Sequence, residues 1–154
     1  MKFVADSMVG RLAKWLRVLG YDTHYQACYP PDVMETLLRE GRILLTRHRK
    51  KAEKLGDTAV LIHGNRVREQ LPELIRELHI EPDRLDWFSR CLRCNTPLKQ
   101  ARQDDAREEI PEYVFYQNMA QIRFCPSCNR YFWPGSHRAR MENQLKGWGV
   151  SFEH

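Results

Sequence analysis

The apolar positions of the first half of the chain change period several times, and each change marks an element. Phe3-Val4-Ala5 is a short continuous apolar run and predicts a buried strand. Asp6 or Ser7 suits the cap of a following helix, in which Met8, Leu12, Trp15, Leu16 and Leu19 recur at helical spacing before Gly20 closes it. Arg11, Lys14 and Arg17, three residues apart, read as the other side of that helix. Asp22 to Gln26 carries a faint strand signal. Pro30-Pro31-Asp32 opens a helix whose apolar residues are Val33, Leu37 and Leu38, and Gly41 ends it. Arg42 to Thr46 is a continuous apolar run of the buried parallel type, and Thr58 to Ile62 repeats it after a basic segment. Val67 to Leu78 reads as a helix on Leu71, Leu74, Ile75 and Leu78, with Pro72 in its first turn or kinking it.

Strands alternating with helices at this spacing predict an α/β fold, a parallel sheet with helices on both faces. Working residues in such sheets collect beyond the carboxyl ends of the strands. Asp6 follows the first strand, His48 the third, and His63 with Asn65 the fourth, while Asp32 opens the second helix on the same rim.

The pattern changes after residue 82. Residues 83–90 form a short connection, and residues 91–141 are organised by two pairs, Cys91-Leu92-Arg93-Cys94 and Cys125-Pro126-Ser127-Cys128. Two CxxC turns in one short segment suit tetrahedral Zn²⁺ in a closed structural site, a zinc ribbon. Disulfides or four idle thiols are the bland alternative. Between the pairs, residues 100–112 read as an exposed loop or frayed helix, and Val114-Phe115-Tyr116 as a ribbon strand. Arg138, Arg140 and Met141 lie on a short helix, and residues 142–154 form a tail. Cys28 has no CxxC partner and reads as a small apolar residue.

Composition narrows the partners. The 154 residues include 25 Lys+Arg against 20 Asp+Glu, a net charge of +5, which favours a polyanion. The 42% hydrophobic content is enough for a packed core. No run has the length of a membrane span, and the first acid, Asp6, comes too early for a signal peptide. A reducing, cytoplasmic location is expected, which also suits metal-bound thiolates.

The chain resembles the Mut7-C family, in which a PIN-like ribonuclease domain precedes a zinc ribbon. The resemblance rests on residues 3–8, 10–17 and 19–23, on Gly41 to Arg47, and on Gln70-Leu71. It continues through Ser89 to Asn95, Pro97-Leu98, the second cysteine pair and Trp133-Pro134-Gly135-Ser136-His137 to Arg140-Met141. It implies a metal-dependent, RNA-cleaving site of aspartates on the sheet rim. Two positions depart from the family pattern. His48 stands where the family has Asp after Thr-Arg, and His63-Gly64-Asn65 follows the fourth strand where acids are usual.

Asp6, Asp32 and His48 are therefore the candidate catalytic residues. Mg²⁺ or Mn²⁺ held by carboxylates would activate water and offset phosphate charge. Imidazole is a poor ligand for Mg²⁺ and a better one for Mn²⁺, and it can also transfer protons. Each residue has an ordinary reading beside this one: a cap for Asp6, a helix-start charge for Asp32, a solvated side chain for His48. Arg11, Lys14, Arg17, Arg47, Arg49, Lys50 and Lys51 are candidate phosphate contacts, or simply solvated charges. Trp133 and His137, with Tyr131 and Phe132, are candidates for stacking on unpaired bases, although packing is the commoner role and is favoured for Phe132. Two functions stay open: a ribonuclease with a partly degenerate acidic site, and a weak or inactive RNA-binding or ribosome-associated protein on the same scaffold. A protein adaptor using the ribbon is the third.

Overall fold

The structure is a computed structural model and describes residues 1–150. Its contacts divide the chain into two compact units, Met1–Asn95 and a second that begins at Thr96. The first cysteine pair thus belongs by its contacts to the first unit.

The first unit is α/β. Strands β1 (Lys2–Ala5), β2 (Asp22–Tyr25), β3 (Ile43–Thr46) and β4 (Ala59–Leu61) form one all-parallel sheet in the order β2-β1-β3-β4. Helices α1 (Gly10–Val18), α2 (Pro31–Arg39), α3 (Arg49–Leu55) and α4 (Val67–Glu77) follow the strands in turn. The register pairs Val4 with both His24 and Leu44, and Ala5 with Leu45. Alternation sends Val4 and Leu44 to the face where Leu37 of α2 closes a cluster, with Val33, Met34 and Leu38 beside it. Phe3, Ala5 and Leu45 turn to the opposite face. Helix α1 lies against β1, β2 and α4, and its Leu12 and Leu16 are fully buried, as are Leu71 and Leu74 of α4. Both faces are covered, which is why β1, β3 and β4 are short apolar runs rather than alternating ones.

Several local expectations are corrected. Ser7–Val9 is a 3₁₀ turn, and the α-helix begins only at Gly10, so Met8 falls out of phase and is 55% exposed while Val9 is buried. A Cβ at Gly10 would stand 2.8 Å from the end of the Tyr25 ring, so any larger residue there requires that side chain to shift. The basic segment after Thr46 is helix α3, which has no buried residue and so left no periodic apolar trace. Pro72 sits inside α4, beyond its first turn.

The second unit holds a small antiparallel sheet, β5 (Lys99–Gln100), β6 (Arg123–Cys125) and β7 (Arg130–Phe132), in that order. Helices α5 (Gln103–Glu109) and α6 (Glu112–Asn118) lie between β5 and β6 in the chain, and α7 (Ser136–Gly147) follows β7. Val114-Phe115-Tyr116 is therefore helical, not a strand. Ala106, Ile110 and Val114 are spaced by four and close a cluster with Phe115 and Ile122. That packing outweighs the local β preference of the aromatic triplet. Helix α7 runs on into the residues expected as tail; residues 151–154 of that tail lie outside the described residues.

Candidate functional site

Asp6 ends β1 on the rim formed by the carboxyl ends of the strands. Its amide donates to the Leu45 carbonyl at 3.1 Å, so it continues the ladder, and the residue is only 5% exposed. One carboxylate oxygen accepts from the Met8 amide at 3.0 Å, the cap expected of it. The other accepts from the Thr46 hydroxyl, whose oxygen in turn accepts from the His48 amide at 3.0 Å. Asp6 is thus aimed from two sides. Thr46, conspicuous in the sequence only as the end of an apolar run, links the ends of β1 and β3.

The loop after β4 is also held down. Arg47 donates to the Gly64 carbonyl and, at 2.8 Å, to the Asn65 side-chain oxygen. Gln70 donates to the same carbonyl at 2.9 Å. Glu69 accepts from the amides of Asn65 and Arg66, closing the start of α4. Glu73 accepts from the amides of His63 and Gly64 at 2.8 and 3.1 Å, and from the His63 ring. Burial pushes the Glu73 carboxyl up, but these donors outweigh it and leave its pKa below the ordinary value. Asn65 therefore faces an arginine as a carboxylate would, without adding negative charge. Glu73 and Thr46 escaped the sequence reading because their partners, His63 and Asp6, lie elsewhere in the chain and meet them only in the fold.

Asp32 is exposed in the first turn of α2, where its carbonyl accepts from the Thr36 hydroxyl. His48 is exposed at the start of α3. Asp6, Asp32 and His48 do not form a three-ligand metal group; among the described residues that grouping is found at four cysteines alone.

The basic candidates separate into different roles. Arg11, Lys14, Arg49 and Lys50 are exposed, and Arg47 is committed to the loop after β4. Arg17 is a correction: it is 6% exposed and cannot present a phosphate-binding face. Successive helical steps of about 100° turn it some 120° from Arg11, toward the core. Its guanidinium donates to the carbonyls of Thr23 at 2.9 Å and Leu92 at 3.1 Å. The Thr23 amide donates to the Asn95 side-chain oxygen at 3.0 Å, and the Asn95 amide group donates to Asp22 at 2.6 Å. Arg42 donates to the same Asp22 oxygen at 2.8 Å, and Arg90 to the carbonyls of Gly20 and Asn95. Burial pushes Asp22 up, but the bonds from Arg42 and Asn95 prevail and hold its pKa below the usual carboxylate value.

Trp133 and Tyr131 pack against the Ala106–Ile122 cluster, which is a packing role for Trp133. Alternation along β7 turns Phe132, for which packing is expected, to the other side of the strand from Tyr131. His137 is exposed in the first turn of α7.

The sulfurs of Cys91, Cys94, Cys125 and Cys128 all lie within 4.8 Å of one another. Zn–S bonds of about 2.3 Å in a tetrahedron put sulfurs about 3.8 Å apart, so the cluster fits Zn²⁺ with small inward movements. Both turns have one design. Asn95 and Asn129 follow the second cysteine of each pair with φ of 72° and 55°, and their amides donate to the carbonyls of Cys91 and Cys125, each at 2.9 Å. Asparagine tolerates that left-handed backbone better than most residues. The Cys128 amide also donates to the Cys125 sulfur at 3.4 Å, a bond that favours the thiolate a metal requires.

The family model described as the Mut7-C RNAse domain matches residues 1–145. The chain belongs to the Mut7-C family. None of the curated proteins and none of the solved structures compared with it matches. As Mut7-C membership implies, a parallel α/β unit is accompanied by a small antiparallel sheet and a four-cysteine metal group. No helix among the described residues is long and apolar enough to cross a membrane.

Proposed function

We propose that this chain acts on RNA at the rim of its α/β unit, as a metal-dependent phosphodiester hydrolase whose acidic site is partly degenerate. The observation that carries the reading is Asp6: a buried carboxylate at the end of a central strand, oriented by the Met8 amide and the Thr46 hydroxyl, in a chain matched along most of its length by a ribonuclease family. An ionised carboxylate has room for about four hydrogen bonds or ligands, so two occupied sites leave others for an ion. Mg²⁺ keeps several waters and needs only one or two carboxylates, so Asp6, with Asp32 through water, is a sufficient donor set. Bound there, the ion would supply an activated water and offset phosphate charge. Asp6 holds it, His48 adds a nitrogen ligand or a proton-transfer group, and Arg11, Lys14, Arg49 and Lys50 position the backbone without reading bases.

A second reading has its own support. Residue 48 is a histidine, and Asn65, tied to Arg47, offers no charge to a metal. A scaffold with this deficit would bind RNA and cleave it weakly or not at all.

Incubating mixed RNAs with the protein in Mg²⁺ and in Mn²⁺ tests both. The hydrolase reading expects cleavage that Asp6→Asn lowers by about 10²-fold or more, the scale of a lost catalytic group. His48→Asp should raise the Mg²⁺-supported rate. RNA binding without cleavage, in wild type and in His48→Asp, would leave the binding reading. Robust cleavage indifferent to Asp6→Asn would place the active site elsewhere.

A further inference from the structure

We infer that His63, set by Glu73, is the proton donor to the leaving oxygen of the RNA phosphodiester, an inference that rests on the hydrolase reading above. Glu73 already secures the loop after β4 through two backbone amides, those of His63 and Gly64. The third bond, from the His63 ring at 2.8 Å, adds little to the loop's closure. Its effect is on the ring. An ionised carboxylate only accepts, so Nδ1 carries the proton, and Nε2 is left as the nitrogen that exchanges protons with its surroundings. The His63 side chain is 69% exposed whereas Glu73 is 21% exposed, so a sheltered carboxylate holds an imidazole that a ligand can reach.

The position suits the role. Ala5 pairs with Leu45, and Thr46 with Leu61, so Asp6 stands level with Leu61, and His63 leaves the same rim two residues farther on and two strand positions across. Strands stand about 4.8 Å apart and rise about 3.3 Å per residue, which separates the two backbones by about 12 Å, room for a phosphodiester between an ion on Asp6 and the His63 ring. In the step itself a water oxygen forms the new P–O bond and gives its proton to solvent. The bridging P–O bond breaks, and its oxygen takes the proton of His63 Nε2–H. The Glu73 carboxylate holds the Nδ1 side of the ring throughout, and solvent reloads Nε2. Glu73 is a positioning residue, and His63 the catalytic one.

The test is single-turnover cleavage of oligoribonucleotides that carry either the ordinary bridging oxygen or sulfur in its place, made with sulfur at the 3′ or the 5′ bridge. Sulfur leaves without a proton. His63→Ala should slow ordinary RNA by about 10²-fold, leave RNA affinity unchanged and lose most of its defect on the matching sulfur substrate. Glu73→Gln should lower the rate by about tenfold at unchanged affinity and alter the ¹⁵N signals of the His63 ring. Those signals, read by NMR in the full chain, should show the neutral ring protonated on Nδ1. Equal loss on oxygen and sulfur substrates overturns the inference while leaving the hydrolase reading intact. A neutral ring protonated on Nε2 overturns it whether or not the chain cleaves. RNA binding with no cleavage of either substrate by wild type overturns this inference and the hydrolase reading together.

Discussion

Two polar networks of the α/β unit use the same residue types to different ends. At the rim, Asp6, Thr46, Arg47, Gly64 and Glu73 hold one another, and exposed groups, His48 and His63 among them, remain at their margin. Around β2, Arg17, Asp22, Thr23, Arg42, Arg90 and Asn95 spend most of their bonds on backbone and on each other. The first arrangement aims side chains and the second completes a sheet. The difference lies in where the bonds end: an arginine that terminates on main-chain carbonyls is structural, however basic its neighbourhood.

The largest effect should follow metal removal. Chelation, or Cys94→Ser, should unfold the four-cysteine site, since structural zinc contributes about 10–16 kcal/mol of binding energy in small zinc modules. Elemental analysis of purified protein should find one zinc per chain. On the β2 side, the Thr23 amide should then lose hydrogen-exchange protection, because its acceptor, Asn95, adjoins Cys94.

Next comes Arg17. Arg17→Met leaves the Thr23 and Leu92 carbonyls without their donor and should cost about 1–3 kcal/mol in denaturant unfolding, with RNA affinity unchanged. Affinity falling as far as in an Arg11 variant would erase the division between the two networks. Asn95→Gly tests the same side, since it keeps the left-handed turn and deletes both side-chain bonds; a loss of about 1–2 kcal/mol is expected.

Arg11→Gln with Lys14→Gln should do the reverse, sparing stability and weakening RNA binding across sequences. Each lost phosphate contact should flatten the plot of log affinity against log salt by about 0.7 for single strands. Affinity that is flat in salt would remove RNA from consideration.

The smallest effect concerns pH. The folded-state pKa of Asp22 lies below its unfolded value, so its contribution is present above about pH 4 and is lost as pH falls through the folded value. Asp22→Asn should flatten that part of the acid unfolding curve. A steeper curve in the variant would reverse the assigned direction.

Much of this was legible in one sequence, for identifiable reasons. Buried strands and amphipathic helices write their periods plainly, so β1, β3, β4, α1, α2 and α4 were recoverable. The cysteine spacing announced the metal group. Helix α3 was silent because none of its residues is fully buried, and α6 misled because its aromatic triplet has a β preference that the cluster with Ala106, Ile110 and Ile122 overrides. Arg17 misled because an i+6 position is not on the same face as i. The pairing of His63 with Glu73 was invisible, since a loop residue and a helix residue ten positions on meet only in the fold.

The bonds that Asn95 and Arg17 make to Thr23 have a consequence for the order of synthesis. All four strands of the sheet lie before residue 62, and the chain leaves the ribosome from its amino end. The sheet can therefore assemble while Asn95 is still in the exit tunnel, with the Thr23 amide on an unprotected outer edge. Such an edge is a template for another nascent chain. At this edge the interval closes when Cys91 to Asn95 emerge and fold back, so the first metal turn also closes the β2 edge to mistaken pairing with a neighbouring chain.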